Sequence, residues 1–195
     1  MINSQNGSKL RIFLTAKDKT LSSRSIHQRF IIMILAFEVS SMTRGAIAKR
    51  FARRFGTTTK NAYSQVLKDL QKCLIPGGIV EQEGSIQPSR GPMILQVYGI
   101  PCYRLTSLGL LIASCIDEIS IDDRIKLLRR YLASESISNF DELIIREQLL
   151  AHLREYPEFT LELVKHGASR FLEGRIDHPF DIIPRHKMDS RVSLR

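Results

Sequence analysis

Arg44, Lys49, Arg50, Arg53 and Arg54 follow one another through a stretch that contains no acid, and Lys60, Lys68 and Lys72 continue the series with only Asp69 to offset them. Asn61, Ser64 and Gln65 stand among the lysines. The cations suit a polyanion, because each can neutralise a phosphate and release a condensed counterion. The amides and the hydroxyl suit recognition of base edges: Asn61 and Gln65 can each pair with adenine through two hydrogen bonds, and Lys60 or Lys68 can reach guanine acceptors or phosphate. On chemistry alone, residues 44–72 therefore read as a surface for duplex nucleic acid. Lys60, Asn61, Ser64, Gln65 and Lys68 would read the sequence, Arg44, Lys49, Arg50, Arg53, Arg54 and Lys72 would supply positive charge against the phosphates, and Thr57, Thr58 and Thr59 complete the DNA-binding set.

Such a surface needs rigid elements beneath it. Ser40, Ser41 and Thr43 offer N-cap oxygens for a helix over Arg44–Phe55, in which Ile47, Ala48, Phe51, Ala52 and Phe55 share one side at about 100° per residue and the cations take the other. Gly56 stands where a left-handed residue would end that helix, and Thr57, Thr58 and Thr59 offer capping hydroxyls for the next. The next helix runs over 59–74, with Ala62, Val66, Leu67, Leu70, Cys73 and Leu74 facing inward. Ahead of this pair, Ile26, Phe30, Ile31, Ile34 and Phe37 recur at three- and four-residue spacing and predict a helix with one broad buried face. Behind it, Pro76, Gly77 and Gly78 stop the second helix. A short strand is expected over Ile79–Glu83 and a turn over 84–92, carrying Arg90 at its tip. A second strand, Met93–Tyr98, breaks at Gly99 and Pro101 and resumes through Tyr103–Leu105.

Two helices joined by a tight turn and followed by a strand, a loop and a strand form the layout of a winged helix-turn-helix. The segment Tyr103-Arg104-Leu105-Thr106-Ser107-Leu108-Gly109 resembles the Y-x-L-T-x-x-G signature with which the wing strand enters the next helix in regulators of the PadR and MarR type. The similarity extends over roughly residues 24–115. It implies a DNA-binding transcriptional regulator with helix 59–74 in the major groove and wing 84–92, through Arg90, on the backbone or in the minor groove. It also implies a homodimer. The chain departs from the pattern in a longer hairpin and in the absence of tryptophan.

The expected fold is mainly α with a small β-hairpin: an N-terminal arm (1–22), a winged helix-turn-helix domain (23–116), an α-helical extension (117–174) and a flexible tail (175–195). In the extension, Ser120–Asp123 and Asn139–Glu142 have capping-box spacing, Pro157 suits a first helical turn, and Gly174 suits a C-terminal cap. Three amphipathic helices result, either a dimerisation region or a cover over the winged domain. Charge is divided accordingly. Residues 1–110 hold 16 Lys/Arg and 5 Asp/Glu, a net of +11, and the remainder holds 13 and 15, a net of −2. Asymmetry of this kind points to a basic binding domain joined to a region with another task.

Other classes fit less well. The longest apolar run, Phe30–Phe37, has eight residues, far short of the ~20 that cross a bilayer, and no signal-peptide pattern is visible. Cys73, Cys102 and Cys115 read as small buried hydrophobes in a cytoplasmic protein. The histidines, at 27, 152, 166, 178 and 186, lack metal-ligand spacing, and no nucleotide-binding loop or nucleophile elbow is present. No enzyme, metal or cofactor is expected. Tyr98, Tyr103, Phe140 and Tyr156 are the aromatics that could line a small-molecule effector pocket, although aromatic residues at these spacings more commonly belong to a core. The rival reading is a winged-helix subunit that bridges proteins in a transcription or replication assembly. It shares the fold and has no need of the cationic face.

Overall fold

The computed structural model describes residues 12, 22–38, 40–134 and 140–182. It is mainly helical with a small antiparallel sheet, and the chain divides into two compact units, residues 1–113 and 114–195.

The first unit begins with helix α1 (Ser23–Ala36), followed by strand β1 (Met42–Thr43), helix α2 (Arg44–Phe55) and helix α3 (Thr59–Asp69). Short-range chemistry sets each boundary. The Thr43 hydroxyl accepts from the Ala46 amide at 3.2 Å, Gly56 ends α2 at φ 61°, and the Thr58 hydroxyl accepts from the Asn61 amide at 3.2 Å. Of the three threonines, Thr58 is thus the cap, while Thr57 turns its own amide to the Ala52 carbonyl at 3.2 Å. The expected second helix does not run unbroken to Leu74. It passes into a π-helical turn, Leu70–Leu74, in which the Ile75 amide reaches back to the Leu70 carbonyl at 2.9 Å. The wider turn keeps Leu70, Cys73 and Leu74 buried before Pro76 removes the next donor.

Ile31, Ile32 and Leu35 of α1, Ile47, Ala48 and Phe51 of α2, and Ala62 and Val66 of α3 make much of this unit's core. The buried face of α1 is not the one its spacing suggests. Ile31 and Ile34 are inside, but Ile26 and Phe37 are exposed, and Ser25, Gln28 and Arg29 take buried positions. Polar partners below α1 make this possible: Arg29 Nε donates to the carbonyl of Ile12 at 2.8 Å, itself a buried residue of the N-terminal arm.

The three strands are ordered β1–β3–β2, with β2 at Val80–Ile86 and β3 at Ile100–Leu105. Here the expected second strand is corrected. Met93–Tyr98 is a short helix, α4, set off by Gly91 at φ 126° and Gly99 at φ 76°. Its Met, Leu and Gln favour a helix, the Gln96 amide closes the first turn on the Pro92 carbonyl at 3.2 Å, and the Gln96 side chain donates to the Gly91 carbonyl at 2.7 Å. The pairing strand instead runs straight through Pro101. A register shift between Gln82 and Ser85, at Gly84, relaxes the ladder opposite it. Strand β1, which the hydrophobic pattern does not reveal, pairs Met42 with Tyr103 and Thr43 with Cys102.

The close of the hairpin gives the Tyr103–Gly109 segment a physical role. The Thr106 amide donates to the Ile79 carbonyl at 3.1 Å, and its hydroxyl accepts from the Gly109 amide at 3.0 Å at the start of helix α5 (Ser107–Ser114). A Cβ on Gly109 would stand 2.1 Å from the Ile79 oxygen, so this position has no room for a side chain.

The second unit holds α6 (Ile121–Ser134), α7 (Phe140–Glu155) and α8 (Pro157–Leu172). Ser120 caps α6 by accepting from the Asp123 amide at 3.3 Å, as its spacing predicts; the Asn139 cap lies outside the described residues. Arg124 is buried. It donates from Nε to the Ser114 carbonyl at 2.8 Å and lies 3.6 Å from both Asp117 and Glu162. Pro157 occupies the first turn of α8, and Gly174 follows that helix at φ 70°. The tail is corrected in part, because residues 175–182 fold into turns. Phe180 is buried with its ring 5.9 Å from that of Tyr131, and Gly167 lets the Pro179 carbonyl approach α8. Residues 183–195, including His186, lie outside the described residues.

Candidate nucleic-acid interface

Helix α3 buries Ala62, Val66 and Asp69 and turns Thr59, Lys60, Asn61, Ser64 and Lys68 outward, with Lys72 exposed on the π turn that follows. Steps of about 100° per residue bring Lys60, Ser64, Lys68 and Asn61 onto one continuous face that begins at the Thr58 cap. Gln65 borders it. Its side chain is half-buried and donates from Nε2 to Asp69 Oδ2 at 2.8 Å, so this amide is already engaged within the protein.

Asp69 is the acid that the sequence sets against the lysines, and the structure removes it from their surface. It is fully buried, with Arg24 Nε of α1 3.7 Å from Oδ1. Desolvation pushes its carboxyl above the ordinary aspartate range, against the opposing pull of Gln65, Arg24, His27 and Gln28. Burial likewise lowers the pKa of His27, which Asp69 partly offsets. The exposed face of α3 therefore carries cations and hydrogen-bonding groups but no carboxylate.

The α2 cations do not form a single set. Arg44 lies over the Tyr63 ring, 4.1 Å from its centroid, and donates to the Tyr63 hydroxyl; it ties α2 to α3 and is only partly exposed. Tyr63, exposed on α3 as this anchor's partner, goes unremarked in a search for cations and amides. Arg50 pairs with Glu38. Lys49, Arg53 and Arg54 are exposed. Helical spacing sends Lys49 to one flank of α2 and Arg50 and Arg54 to the other. On that second flank Arg50, Arg53 and Arg54 border, with Phe30 of α1, an open cleft of about 400 Å³. Arg90 is exposed between β2 and α4. Next to it the hairpin tip is apolar: Ile86, Met93, Ile94, Val97 and Tyr98 all face outward.

The aromatics considered for an effector pocket do not share one environment. Tyr103 is buried in β3, Tyr98 and Tyr156 are exposed, and the side chain of Phe140 lies outside those described. The cysteines at 73, 102 and 115 are buried thiols, and Arg24 donates to that of Cys73 at 3.0 Å. Among the described residues no group of His, Cys, Asp and Glu is arranged to hold a metal ion, and no helix is long and apolar enough to cross a membrane. No protein-family model, curated protein or solved structure matches the chain.

Proposed function

We propose that this chain is a DNA-binding transcriptional regulator whose first unit works as a winged helix-turn-helix. The observation that carries the reading is the acid-free outward face of α3, where Lys60, Asn61, Ser64 and Lys68 follow a capped N-terminus joined to α2 by a tight turn. In a helix-turn-helix these are the positions that enter the major groove, with the N-terminal residues nearest the base edges. Asn61 reads an adenine and Lys60 or Lys68 a guanine. Lys49, Arg53 and Lys72 meet flanking phosphates, and Arg90 meets the backbone or minor groove beside the hairpin. Gln65 orients the face through its bond to Asp69, and Arg44 braces it through Tyr63. A homodimer would place two such faces on half-sites about one helical turn apart.

Selection of bound sequences from a random duplex pool tests this reading. A short enriched motif is expected, with Asn61→Ala losing preference at one base pair by about 1–3 kcal/mol of discrimination. Arg53→Ala should weaken every sequence alike. A pool that stays random after selection would reject the regulator. The bridging alternative rests on the exposed apolar helix α4. Partners retained from lysate after nuclease treatment would favour it.

A further inference from the structure

Two surfaces of the chain, one in each unit, match each other in chemistry. On α1 and its C-terminal cap residue, Ile26 and Phe37 are 40% and 52% exposed, and with the partly exposed Phe30 and Met33 they form a stripe at positions i, i+4, i+7 and i+11. Arg50 and Arg54 of α2 border this stripe at Phe30, across the open cleft. The nearby acid, Glu38, is paired with Arg50. At the junction of α7 and α8 the pattern is reversed in charge: Tyr156 and Phe159 are 57% and 68% exposed and are flanked by the exposed Glu155 and Glu158. Arg154 is the cation of this corner, and Glu162 beside it is held by Arg124 and Lys165.

We propose that a second copy of this chain is the occupant of the arginine-bordered stripe, docking through its acidic, aromatic α7–α8 corner. Exposed rings on one side and exposed aliphatic and aromatic side chains on the other give both faces apolar area to remove from water. Guanidinium groups at the rim meet carboxylates and can stack on the aromatic rings. The division of formal charge, +11 over residues 1–110 and −2 over the rest, favours unlike regions of two copies over like ones. The contact is heterologous, joining different patches, so it either closes between two copies that each use both faces or extends along a row of them. It does not depend on the DNA-binding reading, and it uses Arg50 and Arg54 rather than the groove face of α3.

Sedimentation of the full chain without DNA, over a range of concentrations in low salt, tests the contact. Mass should rise with concentration and fall back as salt is added. The double variant Arg50→Glu with Arg54→Glu should weaken association by more than about tenfold, and so should Glu155→Lys with Glu158→Lys, each keeping the wild-type circular dichroism spectrum. Mixing the two variants should restore association, because the reversed charges again oppose one another. A wild-type chain that stays monomeric, a reversal that leaves association unchanged, or a mixture that fails to recover would each overturn the proposal.

Discussion

Asp69 shows how a single residue conditions a whole surface. A carboxylate left on the outside of α3 would cancel one of its lysines; turned inward, it holds Gln65 and faces Arg24 instead. Burial makes the charged form costly, so its folded pKa lies above the ordinary value of 3.8. A carboxyl shifted upward contributes stability that grows as pH falls through the folded pKa and levels off below 3.8. Asp69→Asn abolishes that gain. Relative to wild type, the variant should therefore fare better at neutral pH than at pH about 4, in denaturant melts at the two values. His27 works in the same direction, because losing Asp69 leaves its already lowered pKa lower still and makes acid more costly to the variant. A difference between variant and wild type that is independent of pH would show that the carboxyl is not desolvated. None of this is legible in the sequence, since the partner that lets an aspartate turn inward lies on another helix.

Among the elements, the α2–turn–α3 core was legible because its signals are short-range. Thr43, Gly56 and Thr58 act on amides and carbonyls within four residues of themselves. The hairpin was less so. Met93–Tyr98 is an apolar run too short for its periodicity to separate helix from strand, and the flanking glycines decided the matter. The exposure of Ile26 and Phe37 was hidden for a different reason, since the spacing of α1 allows more than one face and the core beneath it selects Gln28 and Arg29. Two substitutions test the element-level account. Thr58→Ala should cost about 1 kcal/mol through the lost cap, with Thr57→Ala costing less. Gly109→Ala should cost about 1–3 kcal/mol, because the Ile79 carbonyl must move to admit the methyl group. Chemical denaturation measures both, and a neutral Gly109→Ala would mean that α5 does not pack against Ile79 as described.

Over the whole molecule, the imbalance of charge distinguishes the unit that holds α2 and α3 from the rest, and the function proposed for it is electrostatic before it is sequence-specific. Lys49, Arg53, Lys60, Lys68, Lys72 and Arg90 are exposed in that unit, enough to neutralise several phosphates together. The decisive measurement is the affinity for a DNA duplex as a function of salt. Log K should fall linearly with log salt with a slope of about −3 to −5, and Lys49→Ala or Lys72→Ala should each reduce its magnitude by about one. Binding that is indifferent to salt, or no binding even at low ionic strength, would contradict it.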